Sequence, residues 1–412
     1  MDRARRRPTI NTGGASQRRH RPDYVLLLIC IFMLLLGLIV VFSISPALGS
    51  IKNVGENFYV NKQLIAVLLG IGTFLIASNI QPGHWRKFEK PLIIAAVIAS
   101  IAVRIFGEEI NGAYRWIQIG GISFQAAELI KFTLIIWMAG FLTDRMRRGV
   151  LGSMKETIRP MFIVLLIIGA IVGVLQSDLG SATVMVAIMG AMAYVAGLPM
   201  KRILAVAGIV AVGVLLLIST SGYRRSRLHT FLNPASDCQG AGYQSCQALI
   251  AVGSGGIIGL GIGRSVQVYG YLPEAANDSI FAIYAEKFGF IGTTALLGLF
   301  MALFARLKRI IEHTPDDYGR LLVVGILAWL STQAFINIGA MIGLLPLKGI
   351  TLPFISYGGT SLIFVTAAIG VAFSVSRYTT YSIATNGGTP NDSIAGRRGN
   401  RGTYKTPVSR RP

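Results

Sequence analysis

Charge is scarce in this chain, and most of it has one sign. Only 14% of the 412 residues are Asp, Glu, Lys or Arg, and 39 Lys and Arg face 18 Asp and Glu, for a formal charge of +21. With 53% hydrophobic residues and a mean hydropathy of +0.60, too few polar side chains remain to clothe a soluble globule, which leaves a polytopic membrane protein. A separate soluble domain is missing, and so is a signal-peptide pattern. Arg3 to Asp23 is polar, the apolar run from Tyr24 is long enough to span, and no small-residue cleavage site follows it. Cysteine is nearly absent: Cys30 falls inside the first apolar run, which leaves Cys238 and Cys246, in DCQGAGYQSCQ, as the one pair that can bridge.

What is present is a series of apolar segments. Ten spans are expected, at about Tyr24–Ser43, Leu64–Ile80, Pro91–Phe106, Ala127–Thr143, Pro160–Leu175, Ser181–Leu198, Ile203–Thr220, Ser279–Phe304, Leu321–Met341 and Tyr357–Ser376. The expected organisation is a basic tail over 1–23, a membrane domain over 24–376 with a large outer loop at 221–277, and a second basic tail over 377–412. Most cations lie in the tails or in loops on the tail side, such as Arg145–Arg159 and Arg306–Arg309, so the positive-inside rule puts both termini in the cytoplasm. The Arg-, Gly- and Ser-rich tails cannot bury a core and would lie against anionic membrane lipids; no nucleic-acid partner is expected.

Cys246 to Gly263, CQALIAVGSGGIIGLGIG, is apolar enough to look like an eleventh span. A crossing there would turn the Arg306–Arg309 cluster outward, and the glycines make a poor uninterrupted helix. The segment is therefore expected as a re-entrant or interfacial hairpin within the large outer loop, on an otherwise all-α integral membrane fold.

Polar residues that need a reason gather on the outer side. Asp278 ends a water-facing loop, YGYLPEAANDSIF, that also holds Glu274; it is the candidate chemical centre, with simple capping of the following helix as the competing reading. Arg224 and Arg225 suit a phosphate or diphosphate, or else snorkel to headgroups. Arg115 and Trp116 form a cation and ring pair suited to a sugar or a lipid interface. Glu128 and Lys131, three apart on the fourth span, share a face and can neutralise each other as a structural pair. Gln244 precedes the re-entrant segment, and Pro346, Gly349, Pro353 and Gly358 keep Lys348 and Ser356 on a non-helical, cavity-lining loop.

GAYRWIQIGGISFQAAELIK, LQSDLGSA, GYQSCQALIAVGSGGIIGLGIG, YLPEAANDSIFAIYAEKFGFIG and LPLKGITLPFISYGGTSL resemble, in order and spacing, the signature blocks of the SEDS family of shape, elongation, division and sporulation proteins, from about Asp23 to Arg377. Lys348-Gly349 makes the last block more similar to the division branch, FtsW, than to the elongation branch, RodA. The resemblance implies a peptidoglycan glycosyltransferase that polymerises lipid II, with Asp278 as the essential acid. It also implies a class B penicillin-binding protein transpeptidase and other division-site membrane proteins as partners. Arg115, Trp116, Glu128, Lys131, Arg224, Arg225, Gln244, Glu274, Lys348 and Ser356 are the candidate substrate-binding residues. A divalent cation, Mg or Mn, at Asp278 would suit the diphosphate leaving group, although no sequence motif establishes one. Ala276, Asn277 and Ser279 stand where the family usually has His, Thr and Phe, and Ala126 where Pro is usual. An elongation-type polymerase and a lipid-linked precursor transporter are the competing functions, the latter suited by the intramembrane Glu128, Lys131, Glu286 and Lys287.

Overall fold

The computed structural model describes residues 21–110, 113–119, 122–219, 231, 237–240 and 242–379. The basic tails, and Arg224 and Arg225, lie outside the described residues. In chain order the helices are α1 (Tyr24–Ile51), α2 (Phe58–Asn79), α3 (Glu89–Phe106), α4 (Ala126–Arg148), α5 (Arg159–Ile168, continued in π-helical turns to Leu175), α6 (Leu179–Ala196), α7 (Met200–Ser219), α8 (Tyr243–Ser254), α9 (Ile280–His313), α10 (Asp317–Met341) and α11 (Gly359–Ser376). All except α8 fall on the ten expected spans. Eight are long and apolar enough by length and composition to cross a membrane. The other two expected spans are α3 and α7, which carry Lys or Arg in an end turn. The protein is thus an integral membrane protein.

Helix ends follow local chemistry. The Asp23, Asp178 and Asp316 carboxylates accept from the backbone N–H groups of Leu26, Ser181 and Gly319, capping α1, α6 and α10. Small residues let helices approach: Gly370 of α11 sits against the Phe74 backbone of α2, and Gly70 of α2 against Thr366 of α11. The most buried elements are α4, α10 and α11, whereas Leu28, Phe32, Leu35, Ile39 and Phe42 of α1 lie exposed, as lipid-facing side chains do.

One element departs from an all-helical expectation. Between α3 and α4 the chain forms a three-stranded antiparallel sheet, β1 (Glu108–Ile110), β2 (Ala113–Ile119) and β3 (Ile122–Gln125). Trp116 pairs with Gln125 and Ile119 with Ile122. The signal was in the sequence: Gly120-Gly121 between two runs rich in β-branched and aromatic residues is a two-residue hairpin pattern.

The glycine-rich segment behaves as a re-entrant element should. Helix α8 has 12 residues, about 18 Å at 1.5 Å per residue, too short for a ~30 Å hydrocarbon layer. The chain then turns back through Gly255 to Gly263 onto α9, which is broken at Gly289 (φ +63°). The break frees backbone groups that cannot stay unpaired at this depth. Leu260 and Gly261 N–H donate to the carbonyls of Glu286 and Lys287, and Phe290 and Ile291 N–H donate to those of Gly256 and Ile257. Two irregular backbones thus complete each other, and a side chain on Gly259 would run into the Lys287 carbonyl.

Candidate active site

Asp278 lies half-buried one residue before the cap of α9. The cap position is Ser279, whose side chain makes no capping bond. The turn that carries Asp278 is latched through three successive carbonyls. Tyr357 N–H donates to Ala276 O (2.9 Å), Ser356 Oγ to Asn277 O (2.7 Å) and Asn337 Nδ2 to Asp278 O (2.7 Å). Glu274, exposed and in a left-handed backbone conformation (φ +51°), closes the turn from the other side. Its carbonyl accepts from Asn277 and Ser279 N–H, and its carboxylate accepts from the Asn277 amide. Gln244 of α8 reaches the same place, Nε2 donating to Ser279 Oγ at 3.1 Å.

Arg115, on β2, enters from another direction. Its Nε donates to Gln176 O (3.2 Å) and Nη2 to Ser177 O (2.7 Å), carbonyls of the turn between α5 and α6. Ser177 holds φ at +49°, a conformation costly for a residue with a Cβ. The start of α6, just after that turn, packs on the loop between α10 and α11, with Gly180 against Ile350 and the Lys348 carbonyl.

These segments converge on Gly349. A Cβ built there would sit 3.6 Å from Arg115 Nη1 and 3.7 Å from Asp278 Oδ2. A guanidinium and a carboxylate thus both lie within contact distance of the side-chain position that Gly349, at φ +62°, leaves empty. Lys348 precedes it, half-buried. Of the candidate residues, Asp278, Arg115 and Gln244 are brought to one place, and Trp116 stands beside Arg115 with its ring centroid 6.0 Å from the guanidinium carbon. Ser356 and Glu274 are there as well, but Ser356 is buried with its hydroxyl occupied by Asn277 O and Leu352 N–H, which gives it the task of holding the turn.

Glu128 and Lys131 form a buried pair at 2.7 Å, as their spacing predicts, and lie deeper. Lys131 Nζ also donates to Gln333 Oε1 (2.9 Å), which accepts from Trp329 Nε1 too, while Gln333 Nε2 donates to Thr351 O (3.0 Å). The pair therefore supports the 348–352 loop from below. Glu286 and Lys287 are likewise engaged in structure. The Glu286 carboxylate accepts from Ser265 Oγ and from Val266 and Gln267 N–H, and Lys287 Nζ donates to the carbonyls of Ser43 and Ile262.

The molecule with this geometry is matched over residues 24–381 by the family model of the cell cycle proteins FtsW, RodA and SpoVE. The chain belongs to that family. Its relatives include stage V sporulation protein E of Bacillus subtilis, 37% identical across 88% of this chain and 99% of that one. Another is the probable peptidoglycan glycosyltransferase FtsW of Coxiella burnetii, 39% identical across 85% and 95%. Among solved structures, a chain from a peptidoglycan synthase complex that coordinates polymerization and crosslinking superposes with a TM-score of 0.70 at 27% identity, covering 86% of this chain and 98% of that one. The rod shape determining protein RodA of Thermus thermophilus gives a TM-score of 0.63 at 25% identity, covering 88% and 98%.

Two buried amides of this FtsW/RodA/SpoVE member escape a reading by charge alone: Gln333 and Asn337. The available signal was their spacing, four apart on one face of an otherwise apolar span, where an amide needs a partner. Among the described residues no group of three His, Cys, Asp or Glu side chains gathers to cage a metal ion. Mg is commonly held by one or two protein carboxylates with substrate phosphates completing its coordination, and Asp278 is the carboxylate at this site.

Proposed function

We propose that this chain is a peptidoglycan glycosyltransferase that polymerises lipid II into glycan strands, serving septal wall synthesis in cell division. The observation that carries the reading is the convergence of the Asp278 carboxylate and the Arg115 guanidinium on the side-chain position that Gly349 leaves empty. Glycosyl transfer from a lipid diphosphate asks for that combination. A hydroxyl of the acceptor sugar attacks the anomeric carbon of the donor, a C–O bond forms, and the bond to undecaprenyl diphosphate breaks. Asp278 takes the hydroxyl proton, and Arg115 and Lys348, with Arg224 and Arg225 of the outer loop, meet the charge developing on the leaving diphosphate. Trp116 offers a ring face to a sugar. Asp278 would also be the residue to hold a divalent ion, Mg or Mn, against the diphosphate oxygens; such an ion supplies charge neutralisation at the leaving group.

Both termini and the basic loops face the cytoplasm in this reading, and the gap at Gly349 faces outward, where the polymer is made. A class B penicillin-binding protein transpeptidase is the partner, alongside other division-site membrane proteins. The described part of this chain offers no soluble domain, so their contact lies within the membrane and the outer loops. Purified chain given lipid II is expected to make long glycan. A product-free reaction, together with movement of lipid II between leaflets of proteoliposomes, would replace the polymerase with a transporter. Depletion in cells separates the two polymerase roles: filaments indicate division, and rounded cells indicate an elongation-type role.

A further inference from the structure

We propose that Asn337 is a positioning residue for this reaction: it clamps the Asp278 turn to the Gly349 loop and so fixes the separation of the proton acceptor from the diphosphate-binding groups. The inference rests on the polymerase reading and deepens the account of that site.

Asn337 is 2% exposed on α10, one of the most buried helices of the molecule. Its Nδ2 carries two protons and spends both, on Asp278 O at 2.7 Å and on Ile350 O at 2.7 Å. Those carbonyls belong to two chain segments, the turn that presents Asp278 and the loop whose preceding residue, Gly349, lies against Arg115. Of the three donors that latch the carbonyls of Ala276, Asn277 and Asp278, the ones from Tyr357 and Ser356 sit on the α10–α11 loop itself. Only Asn337 reaches from within a helix, so it alone references both segments to a rigid post.

The orientation of the amide is forced, because a reversed amide would set its oxygen against two carbonyl oxygens. The cost of that orientation is visible. Asn337 Oδ1 is buried with no hydrogen-bond partner among the described residues, a situation that disfavours an amide. What this position uses is the pair of donors. Because misplacing reacting groups by about 1 Å can cost ~100-fold in rate, such a clamp acts on turnover more than on substrate capture.

The test uses the full chain in lipid nanodiscs with purified lipid II. Asn337→Ala removes the donors, and Asn337→Asp keeps the shape while placing carboxylate oxygens against both carbonyls. Both are expected to lower kcat, by ~10–100-fold for Ala and by more for Asp, with KM changed less than about threefold. A residue that merely fills space would give the reverse order, the isosteric Asp being the milder change. Hydrogen exchange supplies a readout independent of activity: faster exchange confined to residues 276–281 and 348–352 is expected in Asn337→Ala. Unchanged exchange there, or kcat within about threefold of wild type in both variants, overturns the proposal. Loss of the folded protein in both variants does so as well, since Asn337 would then serve the fold. A wild-type chain that makes no glycan overturns the polymerase reading instead, while the exchange result still decides the clamp.

Discussion

At the scale of single residues, the site is a set of short side chains and missing side chains that let charged groups meet. Asp278 and Arg115 were legible in the sequence because a carboxylate and a guanidinium beside a bilayer need a purpose. The role of Gly349 was not, because a glycine in a loop reads as a turn until its neighbours are known. Gly349→Ala adds a methyl group against Arg115 Nη1 and Asp278 Oδ2 and forces a Cβ into left-handed backbone, at a cost of ~1–2 kcal/mol. The expected outcome is a folded protein with a slightly lower thermal midpoint and at least tenfold slower polymerisation. Undiminished polymerisation would show that the gap is not where substrate sits. The buried pair below answers differently. Lys131→Met strands the Glu128 carboxylate, already left with one unpartnered oxygen, and should cost ~3–5 kcal/mol, seen as loss of yield and thermal stability rather than as a selective loss of turnover.

At the scale of elements, hydropathy placed ten helices, eight of them long and apolar enough to cross a membrane, and glycine content marked the short α8 that is not. Two features lay beyond such reading. The break of α9 at Gly289 is set by partner backbone from 256–261, a contact no local pattern encodes. The sheet before α4 was masked by the expectation that a membrane chain is helical throughout, although its hairpin signal was present. Gly259→Ala should abolish folding, measured as loss of a monodisperse peak in detergent, because the added Cβ meets the Lys287 carbonyl and neither backbone can withdraw without exposing unpaired groups. The Cys238–Cys246 disulfide, with Cα atoms 5.7 Å apart, ties the start of α8 two residues beyond Gln244. Closing so short a loop contributes no more than ~3 kcal/mol, so reduction or Cys238→Ser is expected to slow turnover before it unfolds the chain. In intact cells an impermeant maleimide should label Cys238 only after reduction; labelling without reductant would contradict the bridge, and no labelling even after reduction would contradict the outward placement of the loop.

At the scale of the whole molecule, the chain is a membrane-embedded frame that brings four connecting segments together: the β-sheet, the α5–α6 turn, the loop before α9 and the α10–α11 loop. The scarcity of charge in the sequence announces the membrane, and the few charges that remain mark the frame's supports and its working surface. Such a frame, with no soluble domain among its described residues, makes the pairing with a transpeptidase a matter of helix and loop contacts. Co-purification in mild detergent is expected to recover a class B penicillin-binding protein, and its consistent absence would count against that partnership. The most direct measurement compares wild type with Asp278→Asn, purified in equal amounts with matched thermal midpoints, in lipid II polymerisation. Wild type is expected to yield long glycan and Asp278→Asn none above background, whereas a variant that polymerises at the wild-type rate would contradict the assignment of Asp278 as the centre of the reaction.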